Sequence, residues 1–541
     1  MERHRDQLID TRWRRSGLAA GPALFLVVFF VWPVGQLLWR GLGDNASAIA
    51  DIFTSVSLRR AAWFTLWQAV ASTALTLLIA GPLTAVVANV SFRGRRLVNA
   101  LVTIPFVLPT VVVAGALLAT GDRVGLTDGP FALNKSVFAI LVAHVFFNVA
   151  VVVRTVGGYW QQLSRDDEHA ARTLGTPAWQ TFIRITLRRL RPSLLAATSI
   201  VFLFTFTSFG IVLILGGARQ RTIETEIFRF AVSRTDFATA AALSVVQLVA
   251  VVALVAANIS LRGRLGQADR LGDRLRPASG LMRATSLLTI VITLGLLFVP
   301  IVILTEQALR TGDGWGLANF RALSDRPPFL TVTPQRAVAN SLAFAVVSAA
   351  IATVVGGWAS LAIVYGRGRA SALLDLGYLL PLGTSAVTLG FGILITFDQG
   401  VFDLRQSWFI IPLTQALIGI PFVTRAVVPT LRSIDPHLRE AAASMGAPPS
   451  QIWRDIDLPI ARKALVVGAG FAFAISLGEF GATSFVGRSP EHMTVPLAIA
   501  RLLGQPGETI RGQAMALSVI LMLVTTAVLL LVDRADRSAV L

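Results

Sequence analysis

Along this chain, apolar runs near or above the length that crosses a bilayer, about 18–20 residues, alternate with short polar segments. Twelve spans are read, near residues 17–40, 62–91, 97–120, 136–157, 193–216, 238–260, 285–306, 338–365, 371–397, 408–430, 464–486 and 513–532. Pro105, Pro109 and Pro381 interrupt the third and ninth. A span tolerates proline only where neighbouring helices or water satisfy the freed carbonyls. The predicted fold class is an all-α polytopic membrane protein of about twelve transmembrane helices.

Composition agrees, with 54% hydrophobic and only 14% charged residues. The net charge of +18 would suit nucleic acid, but its placement argues against that partner. Arg3, Arg5, Arg12, Arg14 and Arg15 precede the first span; Arg93, Arg95 and Arg96 follow the second. Arg262, Arg264, Arg270, Arg274 and Arg276 follow the sixth, Arg367 and Arg369 the eighth, and Arg534 and Arg537 come last. All fall on one side if both termini are cytoplasmic, as the positive-inside rule requires. The expected location is therefore the inner (plasma) membrane of a bacterial cell, with lipid as the surrounding partner. The first run lacks a small-residue cleavage site and is expected to be retained. With 0 cysteines, thiol catalysis and iron–sulfur clusters are excluded, and the 5 histidines lack metal-ligand spacing, so no metal site is expected. No nucleophile–base pair or carboxylate dyad stands out, so the chain does not read as an enzyme.

The pattern is written twice. "FGIVLILGG" from Phe209 and "FGATSFVGR" from Phe480 stand 271 positions apart, as do Arg154 and Arg425. "HAARTLG" from His169 and "EAAASMG" from Glu440 share that offset, whereas Pro105 and Pro381 stand 276 apart and Ala242 and Ala516 274. Small indels between two fused copies explain the drift. The expected organisation is a basic tail at 1–16, a first repeat at 17–260, a cytoplasmic linker at 261–284 and a second repeat at 285–541. Each copy has an even number of spans, so the two are parallel, with a pathway expected between them.

Between the fourth and fifth spans of each copy lies a polar loop on the cytoplasmic side. In the second copy Asp435 is a plausible N-cap, with Pro436 at the first helical position. Gly446 is placed to end that helix in a left-handed conformation. Pro448 and Pro449 suit the start of another short helix, on which Ile452, Trp453 and Ile456 form one apolar stripe. Two short helices set at an angle are predicted, their stripe lying in the lipid interface or docking against another protein.

Glu440-Ala441-Ala442, three residues, Gly446, nine residues, Ile456, one residue and Leu458-Pro459 together resemble the signature loop of permeases in binding-protein-dependent ABC importers. In the first copy Ala170, Ala171, Gly175, Ile185 and Leu187 match; His169 stands where the glutamate would be, Glu168 comes one residue early, and Arg188 replaces the final proline. The resemblance implies a type I ABC importer permease made of two parallel six-helix repeats, each loop inserting into one of two copies of a cytoplasmic ABC ATPase. It also implies an extracytoplasmic substrate-binding protein. A Walker A loop needs Gly-Lys-Ser or Gly-Lys-Thr, but the two lysines, Lys135 and Lys463, follow Asn134 and Arg462. This chain is therefore expected to bind no cofactor, ATP and Mg belonging to the separate ATPase.

Leu141–Arg154 and Thr207–Arg229 are similar to the thiamine importer's permease, with the ferric-iron importer permease as the alternative. Glu479, an ionisable group in an apolar run, should face a pathway or a partner. With Phe480, and with Ser208 and Phe209 at the matching place, it forms a candidate pathway group suited to a cationic aromatic solute. His144 and Asn148, one helical turn apart, could line the pathway or bond between helices. A major-facilitator-type secondary transporter also has two six-span halves, but has no use for two docking loops.

Overall fold

Hydropathy dictates the elements of the computed structural model, which describes residues 18–43, 49, 52, 54–262, 276–277, 279–312, 314–366, 368–398, 403–404, 406–486 and 490–537. The basic tail and most of the linker lie outside the described residues. Among the described residues, ten helices are long and apolar enough to cross a membrane, and two bent pairs bring the total to as many as twelve.

The principal helices of the first half are α1 (Leu18–Leu42), α2 (Val56–Asn89), α3 (Arg95–Val107), α4 (Thr110–Val124), α5 (Val137–Trp160), α6 (Asp166–Thr173), α7 (Ala178–Phe206), α8 (Gly210–Leu215), α9 (Ile223–Phe228) and α10 (Phe237–Arg262). The second half repeats them in order: α11 (Gly280–Leu309), α12 (Pro334–Tyr365), α13 (Arg369–Gly383), α14 (Ala386–Thr396), α15 (Ile410–Arg432), α16 (Pro436–Ser444), α17 (Ser450–Gly478), α18 (Thr483–Val486), α19 (Val495–Leu503) and α20 (Glu508–Arg537). Two short strand pairs are the only sheet among the described residues; in one, Val90–Ser91 runs parallel to Arg276–Pro277 of the linker.

The proline-interrupted spans are sharply bent, by 100° between α3 and α4 and by 105° between α13 and α14. Prolines remove N–H donors there, and Ser385 restarts the second helix by accepting from Val387 N at 3.1 Å. The expectation of uninterrupted spans at 193–216 and 464–486 needs correcting. Helix α7 stops at Phe206 and α17 at Gly478, each followed by a polar break and a short helix. Side chains at the breaks, Ser208 and Glu479, offer hydrogen bonds that compete with a continued helix.

Contacts divide the chain into two units that cut across the sequence halves. One comprises Ala50–Glu226 and Val246–Arg310, and so combines α2–α8 with α11. In it Gln307 of α11 donates to Ala119 O of α4 at 2.9 Å. The other comprises Met1–Ile49, Ile227–Val245 and Thr311–Leu541, and combines α1 with α12–α20. In it Arg40 of α1 donates to Ile395 O of α14 at 3.4 Å, and Tyr378 of α13 donates to Pro22 O at 2.7 Å. Arg40 and Gln307 each lie seven residues after a helix proline, Pro33 and Pro300, and their acceptors stand 276 apart. The first helix of each half therefore packs on helices of the other half. The core of this second unit is α12, α15 and α17, packed closely at small residues: a Cβ on Gly468 would lie 2.8 Å from Val423 Cα.

Candidate functional site

The repeated loop closes its first helix in the same way in both halves. Asp435 caps α16, its carboxylate accepting from His437 N at 2.9 Å, with Pro436 in the first turn. The helix closes when Gly446 N donates to Ala443 O at 3.0 Å and Ala447 N to Ala442 O at 3.0 Å. In the first half Gly175 N donates to Arg172 O and Thr176 N to Ala171 O, both at 3.0 Å. This is the paired closure that requires a left-handed residue after the helix, and Gly446 (φ 86°) and Gly175 (φ 83°) supply it. Ala441, Ala442, Ala170 and Ala171 are thus helix formers whose carbonyls take part in the stop.

The second short helix does not stand alone. It forms the first turns of a 29-residue helix, α7 or α17, that continues into the fifth span of its half. Each passes through a π-helical turn, Phe182–Thr186 and Trp453–Asp457. Such a turn widens the helix locally and rotates the faces of the residues beyond it. Its last residue, Thr186 or Asp457, is buried in both halves.

Of the apolar stripe, Trp453 and Ile456 are half-buried and pack against the unit's own buried cluster. Ile185, Leu187 and Leu458 are half-buried. Pro459 is exposed and borders a cavity of about 500 Å³ with Ala426, Thr430, Ile460, Lys463, Ala464 and Val467. Met445 and Leu174, each just before its glycine, are 82% and 85% exposed. Glu440 is exposed too, its carboxylate 3.4 Å from His437 Nδ1. His169 is exposed, whereas Glu168 turns inward and accepts from the Thr186 hydroxyl at 2.5 Å.

Three side chains that sequence reasoning passed over hold the second loop. Asp457 occupies the unspecified position between Ile456 and Leu458. It accepts from Arg439 Nε at 2.9 Å and from the Tyr365 hydroxyl. Arg439 also donates to Leu431 O at 3.1 Å, and its guanidinium sits 5.1 Å from the centre of the Tyr365 ring. An acid on an otherwise apolar stripe was the available signal.

The candidate pathway residues fall into two buried polar clusters, one in each unit. His144 bridges two serines, with Ser72 Oγ 2.8 Å from Nδ1 and Ser208 Oγ 2.9 Å from Nε2, tying α2, α5 and the break after α7. Asn148 donates to His144 O within its own helix at 2.8 Å, and its Oδ1 finds no partner among the described residues. Phe209 is buried nearby in the chain. In the other unit Glu479 accepts from Ala482 N at 2.7 Å, Thr483 N at 2.8 Å and the Thr483 hydroxyl. Its carboxylate caps the start of α18. Gln415, 271 positions after His144, accepts from Ser476 Oγ at 2.6 Å, and Phe480 is buried beside the break.

The sequence profile described as "Binding-protein-dependent transport system inner membrane component" matches residues 78–264 and again 352–540. A thiamine transport system permease protein from Brucella abortus is 29% identical over 92% of this chain and 91% of its own length. One from Salmonella typhimurium is 25% identical over 92% and 93%, and one from Escherichia coli 24% over 82% and 83%.

Proposed function

Because this chain belongs to the binding-protein-dependent transport system inner membrane components and is the permease of an ABC importer, we propose that the solute it moves is thiamine. The observation that carries this reading is alignment over nine-tenths of the chain, through both repeats, with relatives named for thiamine transport. In this account an extracytoplasmic binding protein delivers the solute to the membrane. Two copies of a cytoplasmic ATPase, carrying ATP and Mg, dock on the exposed ends of α6 and α16. Met445 and Leu174 are the apolar contacts there and Glu440 the acidic one. ATP-driven closure of the ATPases then moves both loops. Each loop runs straight into the fifth span of its half, so a push on it displaces α7 or α17 as one body. Both chain termini lie on the ATPase side.

Reconstitution tests this directly. Proteoliposomes holding the permease, its ATPase and its binding protein are expected to accumulate radiolabelled thiamine only with ATP. Uptake of ferric iron in place of thiamine would overturn the solute assignment. Uptake driven by a proton gradient without the ATPase would overturn the energy source.

A further inference from the structure

We propose that Asp457, Arg439 and Tyr365 are positioning residues that fix the second loop to its span and so carry force from it, an inference that rests on reading that loop as the ATPase contact. Helix α16 has no buried residue in its nine positions. Burial of apolar surface therefore does little to hold it, and directional bonds must do that work. The buried carboxylate of Asp457 joins four elements at the point where they leave the spans. It lies on α17, bonds Arg439 of α16 and the hydroxyl of Tyr365 at the end of α12, and through Arg439 reaches Leu431 O at the end of α15. A buried carboxylate bonded on both oxygens tolerates little displacement, because an unpaired charge there is strongly destabilising.

The first half also ties its short helix to neighbouring spans, through separate bonds between different groups. Asn89, Glu168 and Thr186 occupy the positions of Tyr365, Arg439 and Asp457, at offsets of 276, 271 and 271. Thr186 donates to Glu168 at 2.5 Å, and Asn89 Oδ1 accepts from Arg165 Nη2 at 2.7 Å. A link between short helix and span stands in both halves, through Arg439 and Asp457 in one and through the Glu168–Thr186 bond and the Asp167–Arg189 ion pair (2.9 Å) in the other, which marks the link itself as what the site requires.

The test uses the full complex in proteoliposomes and reads radiolabelled thiamine moved per ATP, with binding-protein stimulation of hydrolysis as a second readout. Arg439→Glu and Asp457→Thr, made singly, are expected to lower solute moved per ATP by about tenfold or more while hydrolysis continues. The double variant rebuilds the glutamate–threonine pairing of the first half and is expected to recover most of the loss. Tyr365→Phe keeps the ion pair, loses one bond and should give a smaller loss. If a single variant fails to insert, Tyr365→Phe decides: lower stoichiometry supports the tie, and unchanged stoichiometry overturns it. Docking is read separately. The chain has 0 cysteines, so Met445→Cys is its sole thiol for cross-linking to the ATPase. Absence of that cross-link with the tie intact would defeat the docking reading. A normal cross-link together with full stoichiometry in the single variants would defeat the tie alone.

Discussion

Two glutamates near the same motif position face opposite ways. Glu440 is exposed, while Glu168, one residue early, spends its carboxylate on Thr186. A shift of one residue on a helix turns a side chain by about 100°, enough to move it from the outer face to the inner. The first loop therefore presents His169 where the second presents a carboxylate. On the proposed docking of an ATPase at each loop, the two contacts should differ accordingly. Glu440→Gln is expected to weaken binding of the ATPase by about two- to fivefold at low salt, the scale of an exposed ion pair, with the difference fading as salt is raised. Glu168→Gln should leave ATPase affinity unchanged. Titration of each variant in detergent with labelled ATPase checks both, and equal losses would refute the asymmetry.

At the scale of elements, the loop helices depend on how they stop. No atom lies within 4 Å of a Cβ built on Gly446, so the requirement for glycine there is conformational. An L-residue in that left-handed position costs roughly 1–2 kcal/mol, so Gly446→Ala is expected to speed amide exchange along α16 by about five- to thirtyfold. Gly81→Ala, at an open position inside α2, should show no such effect; hydrogen-exchange mass spectrometry compares the two. This stop was legible in the sequence, as were the Asp435 cap and the two proline interruptions, because each rests on a residue with one strong backbone preference. The breaks after Phe206 and Gly478 were not, since serine, threonine and a lone glutamate are compatible with a continuing span. Nor was the continuity of α17 from Ser450 to Gly478: the prolines mark where a short helix starts but not how far it runs, and a π-helical turn has no sequence signal of comparable strength. The stripe of Ile452, Trp453 and Ile456 was legible as a stripe, but the packing of Trp453 and Ile456 on their own unit was not, since periodicity shows that a helix has an apolar face without saying what covers it. The tie at Asp457 needed Tyr365, 92 positions away, and local pattern carries no trace of such a partner.

Across the whole molecule, the exchange of first helices changes what a half of this chain means. The sequence repeats itself at the linker, yet α1 packs with α13 and α14 of the second half. Leu26 and Phe30 share a buried cluster with Tyr378 and Ile393, and a Cβ on Gly377 would come 2.5 Å from a Leu26 methyl. Close packing against a small residue is a large part of what holds helices together in lipid, where apolar surface gains little by leaving the tails. Removing α1 would strip that surface from α13 and α14 and leave the Ile395 carbonyl without its Arg40 donor. A chain beginning at residue 279 is therefore expected to insert but remain protease-sensitive around Arg369–Thr396, although every helix of its own repeat is present. Co-expression of residues 1–270 should restore protection, whereas residues 50–270, which lack α1, should not. Limited proteolysis of the purified membranes reads the difference. Protection of the second half by itself would mean that α1 contributes nothing to the bent pair it covers, and the exchange would then be a matter of proximity and not of stability.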